Sequence, residues 1–174
     1  IDASKLSFEE NVAVTKKLVA YAHSKNVSVE GEIGVIGTEE GGEVSGQAIY
    51  SSPEEVARYV DLTGVDSIAV SVGNEHGAPS GEAIHFDILE KIAEMVKIPL
   101  VMHGASGVSD DDVRKAISRG VAKINIDTNL RRAFLAGLMA LPEDCKDPRD
   151  ILKVCMENVA SVVKQKIDLF ANGK

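Results

Sequence analysis

The sequence predicts an α/β fold of parallel strands and helices, of the (β/α)8 TIM barrel type. Three observations support this prediction. Strand-like and helix-like segments alternate along the 174 residues, with connections long enough for crossovers between parallel strands. Polar residues follow every strand-like segment rather than gathering at one point of the sheet. No G-x-G-x-x-G motif follows the first strand, so a doubly wound open sheet is the less favoured alternative.

The helices are predicted from apolar residues at helical spacing and from typical N-terminal residues. Ser4 or Ser7 precedes the first helix, and Pro53 stands at the first position of the second, where proline is favoured. The predicted helices cover residues 8–24, 53–63, 86–96, 109–119, 128–141 and about 148–171.

The predicted strands are short apolar segments that lie between these helices. They cover residues 27–33, 67–72, 98–102 and 121–126, and the end of a further strand is expected at Ile1. A complete barrel needs eight strands and roughly 250 residues. We therefore expect residues 1–174 to form the C-terminal part of a single barrel domain, covering roughly strands 5–8, the end of strand 4 and the C-terminal helices.

Composition narrows the possible function classes. The chain is 44% hydrophobic and 26% charged, with a formal net charge of −8 from acidic residues spread along its length. Nucleic acid is disfavoured as a partner because phosphate backbones require a basic surface. No apolar run is long enough to cross a membrane, and no basic segment leads into an apolar one at the start. We expect a cytoplasmic protein without a membrane partner.

Polar residues at the C-terminal strand ends are expected to converge on one face of the barrel. Two histidines and a carboxylate among them, His76, His103 and Glu32, match the ligand preferences of a divalent transition metal such as zinc. The alternative for each histidine is a hydrogen-bonded structural residue. The residues of the predicted polar ring are Asp2, Glu32, His76, His103, Asn125 and Asp127.

The glycine-rich segment after His103 predicts an anion site. In the sequence Gly104-Ala105-Ser106-Gly107, missing side chains let backbone N–H groups turn toward an anion, and a helix begins just beyond. Barrels frequently bind phosphate on the loops that follow their last two strands. Asn125 and Thr128, in the next loop, would complete the cradle; a simple turn followed by a helix cap is the alternative.

Six motifs together span the chain: IDAS, VEGEIGVIGTEEGG, GNEHGA, PLVMHGASG, KINIDTNLRRAF and DPRDILKVCMENVASVVKQKI. They resemble those of the class II, metal-dependent fructose-bisphosphate and tagatose-bisphosphate aldolases. The resemblance implies a TIM barrel, Zn²⁺ as cofactor, and reversible cleavage of a ketose 1,6-bisphosphate. Fructose 1,6-bisphosphate is the first candidate for this substrate. The products would be dihydroxyacetone phosphate and glyceraldehyde 3-phosphate.

The resemblance also implies a role for each matching residue. His76 and His103 match metal ligands, and Glu32 matches a carboxylate at or beside the metal. Glu40 matches an acid/base glutamate on a mobile loop. The residues that match the site for dihydroxyacetone phosphate and a monovalent cation, Na⁺ or K⁺, are Gly77, Gly104, Ser106, Asn125, Asp127 and Thr128.

Two alternatives remain open from the sequence. Nothing in it separates fructose from tagatose bisphosphate as the substrate. The family's catalytic aspartate and third ligand histidine lie in an LDHG-like motif that this chain does not contain, so a non-catalytic half barrel is the second alternative. The resemblance further implies a homo-oligomer, a dimer or a tetramer.

Overall fold

The computed structural model describes residues 1–36, 38–40, 43–45, 49–74, 83–145 and 147–171, with the backbone alone for 38–40 and 43–45. Its elements, in chain order, are α1 (Phe8–His23), β1 (Glu30–Ile33), β2 (Thr38–Glu40), β3 (Glu43–Ser45), α2 (Pro53–Thr63), β4 (Ser67–Val70), α3 (Phe86–Met95), β5 (Leu100–Met102), α4 (Asp110–Ser118), β6 (Val121–Ile124), α5 (Thr128–Met139) and α6 (Pro148–Ala171). From α2 to α5 its helices and strands alternate along the chain.

One parallel sheet organises the chain. Its strand order is β1-β4-β5-β6, so strands that follow one another along the chain, apart from β2 and β3, are also neighbours in the sheet. This sequential order is the one a barrel wall has, and it confirms the predicted α/β class with parallel strands. The strands are shorter than predicted, and residues 1–3 form no strand at the position where a strand end was expected.

The helices begin where the sequence predicts them to begin. The Ser7 side chain caps α1 in a reciprocal capping box with Glu10, and Ser52 caps α2 just before Pro53. Ser109 caps α4 in the same way. These caps satisfy N–H groups that a helix leaves without partners, and they fix where each helix meets the sheet.

The two faces of the sheet differ in chemistry. Ile68, Val70, Leu100 and Met102 pack against the helices in the main hydrophobic core. Gly31 lies on this face too, and a Cβ added there would come within 2.9 Å of the Tyr59 ring of α2. Side chains alternate along a strand, so the residues between these positions point away from the helices. This open face carries Glu30, Glu32, Ser67, Ala69, Val101 and Lys123.

A short hairpin interrupts the segment that the sequence predicts to be a loop, residues 34–52. Strands β2 and β3 pair antiparallel, with Thr38 opposite Ser45 and Glu40 opposite Glu43. The sequence between the two strands is Gly-Gly, a recognised hairpin signal. The prediction of a loop over residues 34–52 is therefore wrong for residues 38–40 and 43–45, which form strands.

Helices α5 and α6 pack against each other, and Leu169 near the end of α6 reaches the main hydrophobic core. Both helices are amphipathic, and the buried residues of α6 are Cys155 and Leu169. Large apolar side chains of the pair remain exposed; they are Phe134, Leu135, Leu138, Met139, Leu152, Met156, Val163 and Ile167.

Candidate functional site

The imidazole of His103 is the centre of the candidate site. His103 directly follows β5, and its two ring nitrogens face two carboxylates of β1. Nε2 lies 3.1 Å from Glu30 Oε1, and Nδ1 lies 3.3 Å from Glu32 Oε2. The side chains of His103 and Glu32 are mostly buried, with exposed fractions of 16% and 8%. The structure thus brings together two of the three predicted metal ligands.

Strand β4, which separates β1 from β5, leaves room for these contacts. Its residues on the open face are Ser67 and Ala69, which are small. Ala69 is the register partner of both Glu32 on one side and Val101 on the other. Because nothing large stands between them, the long carboxylate side chains of β1 reach across β4 to the histidine.

Asn74 anchors the backbone at the histidine. Its side-chain Nδ2 donates a 2.8 Å hydrogen bond to the carbonyl oxygen of His103, and its Oδ1 accepts one from the Val72 N–H. Asn74 is completely buried. The amide therefore ties the end of β4 to the end of β5 and limits movement of the His103 backbone.

A buried polar triad on the helix side supports Glu32. Asn11 of α1 donates from Nδ2 to the Glu32 carbonyl at 3.0 Å. The Tyr59 hydroxyl lies 2.9 Å from Asn11 Oδ1 and 2.8 Å from Thr15 Oγ1, and Thr15 Oγ1 lies 3.1 Å from the same Asn11 oxygen. Buried polar groups that satisfy one another in this way rigidify a fold. The triad thus fixes the strand that carries both carboxylates.

Charges around His103 determine its electrostatics. The hydrogen bond to Glu32 raises the pKa of His103 above its ordinary 6.5, Glu30 adds to this effect, and partial burial opposes it. Burial alone would raise the pKa of Glu30, but hydrogen bonds from Lys123 and His103 outweigh it and hold the pKa below its ordinary 4.5. Lys123 of β6 bonds both Glu30 oxygens, at 3.0 and 2.8 Å. The site is therefore a charged row running from Glu32 to Lys123.

The Glu32 and His103 donors fit a metal ion as a pair. Zinc bonds of about 2.0–2.2 Å at tetrahedral angles put two ligand atoms about 3.3–3.5 Å apart, and the observed Nδ1–Oε2 separation is 3.3 Å. The third predicted ligand, His76, lies outside the described residues. Within the described residues, no three His, Cys, Asp or Glu side chains converge closely enough to hold a metal ion.

The glycine-rich loop after His103 lies beside these donors. Gly104 has φ +64°, a left-handed conformation that favours glycine, and the next residue of the loop, Ala105, is fully buried. The N–H groups of residues 104–107 have no backbone acceptor in the part of the chain that the structure describes. Helix α4 begins at Asp110, just beyond. The left-handed glycine, the N–H groups without a backbone acceptor and the nearby helix start all suit the predicted phosphate loop.

The second predicted phosphate loop has a different arrangement from the expected one. The sequence predicts that Asn125 completes the anion cradle, but the Asn125 N–H donates to the Met102 carbonyl at 3.1 Å and continues the pairing of β6 with β5. The Asp127 carboxylate is exposed and pairs with Arg131 at 3.0 Å, one turn along α5. Thr128 is the first residue of α5, and its position at the start of the helix agrees with the prediction.

The other predicted site residues lie either away from this cluster or outside the residues that the structure describes. Gly77, like His76, lies outside the described residues, and Glu40 is described only as the last backbone position of β2. Asp2 accepts hydrogen bonds from Ser4. Sequence reasoning missed Glu30, Lys123 and Asn74. The alternation Glu30-Gly31-Glu32 in a strand was the available signal for the first, because it puts both carboxylates on one face.

The comparisons with known proteins agree with this picture. The fructose-bisphosphate aldolase from Staphylococcus aureus strain Mu50 is 41% identical over 174 residues, which cover 98% of this chain and 61% of that protein. The crystal structure of the YdjI aldolase from Escherichia coli K12 is 36% identical with a TM-score of 0.82, covering 97% of this chain and 58% of that one. A structure titled as a putative fructose-1,6-bisphosphate aldolase from Coccidioides immitis is 29% identical, with a TM-score of 0.85 and coverage of 98% and 61%.

The chain spans about three fifths of the length of these relatives. None of its described helices is long and apolar enough to cross a membrane. The family model for class II fructose-bisphosphate aldolase matches residues 1–174, the whole chain. On this match, together with the parallel sheet and the 41% identical relative, the chain belongs to the class II fructose-bisphosphate aldolase family.

Proposed function

We propose that the protein to which this chain belongs cleaves a ketose 1,6-bisphosphate reversibly to dihydroxyacetone phosphate and glyceraldehyde 3-phosphate. Fructose 1,6-bisphosphate is the first candidate substrate. The observation that carries the proposal is the pairing of His103 with Glu32, at 3.3 Å, directly beside the loop of residues 104–107. Metal-binding donors and an anion loop at one end of one sheet are what a phosphorylated carbonyl substrate requires.

The proposed metal ligands are Glu32 and His103 together with His76. When bound there, a divalent metal ion, Zn²⁺ first, would act as a Lewis acid on the C2 carbonyl of the substrate. The carboxylate and the imidazoles supply the ligand types that zinc prefers. A monovalent cation, Na⁺ or K⁺, is proposed beside the phosphate.

The chain's own loops would hold the substrate. The N–H groups of residues 104–107 and the Ser106 hydroxyl would bind the phosphate that remains on dihydroxyacetone phosphate, with Thr128 at the start of α5 as a second hydroxyl donor. Gly77, Asn125 and Asp127 are proposed to contact the same product through groups other than the Asn125 N–H. Oriented amides bind a phosphate without a lysine in either loop.

Glu40 is proposed to be an acid/base residue of the reaction. As the C3–C4 bond of the substrate breaks, its electron pair stays with the three-carbon fragment that becomes dihydroxyacetone phosphate, and this fragment takes up a proton at C3. The hydroxyl on C4 loses its proton as glyceraldehyde 3-phosphate forms. The catalytic aspartate that the family resemblance implies lies in an LDHG-like motif, which is absent from this sequence. We therefore expect the 174-residue chain by itself to be inactive.

An assay of the intact protein with two substrates tests the proposal. Triose phosphate formation should be faster from fructose 1,6-bisphosphate than from tagatose 1,6-bisphosphate, should disappear after treatment with a chelator, and should return with Zn²⁺. Faster cleavage of tagatose bisphosphate would correct the substrate. Activity that resists the chelator, or no cleavage of either sugar, would refute the proposed reaction.

We further propose a cytoplasmic homo-oligomer, a dimer or a tetramer, in which residues 1–174 are the C-terminal part of one barrel domain. Sedimentation of the intact protein would measure the oligomeric state. A monomer at micromolar concentration would contradict this part of the proposal.

A further inference from the structure

Glu30 is a second carboxylate in the site, and the proposed reaction gives it no role. It begins β1, two residues before Glu32, and its side chain is 25% exposed. It lies between two partners on other strands. Its Oε1 is 3.1 Å from His103 Nε2, and Lys123 Nζ lies 2.8 Å from its Oε2. A carboxylate held on both sides has little freedom to turn away.

The His103 ring has one nitrogen for each carboxylate. A neutral imidazole carries a proton on one nitrogen and a lone pair on the other. With the proton on Nε2 and donated to Glu30, the lone pair of Nδ1 points toward Glu32, where the proposed metal ligands meet. Metal-binding histidines commonly donate their other N–H to a carboxylate, which fixes both the tautomer and the ring orientation.

Lys123 holds the Glu30 carboxylate in place for this bond. Its side chain is half exposed, at 49%, and its ammonium group contacts both oxygens of the carboxylate. The hydrogen bonds from Lys123 hold the carboxylate of Glu30 in place. The lone pair of Oε1 that faces His103 therefore keeps a fixed direction. The lysine comes from β6, the strand on the far side of β5, so the histidine is oriented by both of the outer strands of the sheet.

We propose that Glu30, held in place by Lys123, is a positioning residue that orients His103 so that Nδ1 is presented to the metal ion. This inference rests on the proposed function, because it requires that Glu32 and His103 bind a metal. In this inference neither Glu30 nor Lys123 contacts the substrate.

Metal affinity of the intact protein tests the inference without any measurement of turnover. The dissociation constant for Co²⁺ would be followed by its visible absorption, and that for Zn²⁺ by competition with a chromophoric chelator. We expect Glu30→Ala to weaken metal binding by about 10- to 100-fold, the usual effect of losing such a partner. Lys123→Met should weaken it less, and Lys123→Arg should restore the wild-type value.

Glu90→Gln is the matched control. Glu90 is an exposed carboxylate of α3 that pairs with Arg119, so this variant also breaks a carboxylate–cation pair, but far from the metal ligands. We expect its metal affinity to equal that of the wild type. Lys123→Met changes an exposed side chain and keeps the test decisive should Glu30→Ala fail to fold.

Nitrogen-15 NMR of the His103 ring in the zinc-loaded protein supplies a readout that a purely structural role would not move. The wild type should show one tautomer, with the proton on Nε2, and Glu30→Ala should show a changed or mixed ring state. Unchanged affinity and an unchanged ring in the Glu30 and Lys123 variants would overturn the inference alone. Failure of the wild type to bind any divalent metal would overturn the proposed function, and the inference with it.

Discussion

Replacement of Tyr59 by phenylalanine tests the buried triad that supports the site. Tyr59 is completely buried, and its hydroxyl lies 2.9 Å from Asn11 Oδ1 and 2.8 Å from Thr15 Oγ1. The substitution deletes one oxygen with its hydrogen bonds. Asn11 Oδ1 keeps the hydrogen bond from Thr15, at 3.1 Å, whereas the buried Thr15 oxygen loses the hydrogen bond that it accepts from Tyr59.

The expected loss of unfolding free energy is about 1–2 kcal/mol. About 1 kcal/mol comes from the lost hydrogen bond, and the remainder from the small cavity and the imperfectly solvated Thr15 hydroxyl. With a urea m-value of about 2 kcal/mol/M, the unfolding midpoint should fall by about 0.5–1 M. Equilibrium urea unfolding followed by circular dichroism measures this shift.

Tyr21→Phe is the control for this prediction. Tyr21 belongs to α1 but is 67% exposed, so loss of its hydroxyl should change the unfolding free energy by less than about 0.5 kcal/mol. Equal shifts in the two variants, or a Tyr59→Phe protein as stable as the wild type, would refute the role assigned to the triad.

Three further predictions concern the site itself. In metal-free protein the Glu32 hydrogen bond raises the pKa of His103 above 6.5, so its stabilising contribution is fully present below pH 6.5 and lost as the pH rises through the folded-state pKa. The stability difference between wild type and His103→Gln should accordingly be larger at about pH 6 than at about pH 9, and a difference independent of pH would contradict this. Ser106→Ala in the intact enzyme should weaken dihydroxyacetone phosphate binding by about 1–2 kcal/mol, measured by calorimetry, and unaltered affinity would remove Ser106 from the phosphate site. Glu40→Ala should lower kcat more than it raises KM in steady-state assays, whereas an unchanged kcat would remove Glu40 from proton transfer.

More of the architecture than of the candidate site can be predicted from the sequence. Helix starts follow from local capping chemistry, which Ser7 and Ser52 make visible in the sequence, and the structure confirms them. Parallel order follows from the alternation of strands and helices. The pairing of His103 with Glu32 also follows, since parallel strands bring their C-terminal ends to one edge.

The contacts that sequence reasoning missed depend on distance across the sheet. Glu30 begins its strand, so a search restricted to strand ends does not find it, and its partner Lys123 lies 93 residues away. The Asn125 N–H was assigned to an anion although strand pairing requires it. In both cases the deciding factor is how residues of different strands align across the sheet, which is a tertiary property rather than a local one.

The ion pair between Glu30 and Lys123 also reports on the curvature of the sheet. Their strands, β1 and β6, are three intervals apart in the strand order, which on a flat sheet is about 14 Å. Side chains on one face of a flat sheet stand roughly parallel, so their ends would be about as far apart as the strands. The observed separation of 2.8 Å therefore indicates that the sheet bends toward its open face. The four strands β1, β4, β5 and β6 thus form a concave wall, and its hollow side carries Glu30, Glu32 and Lys123.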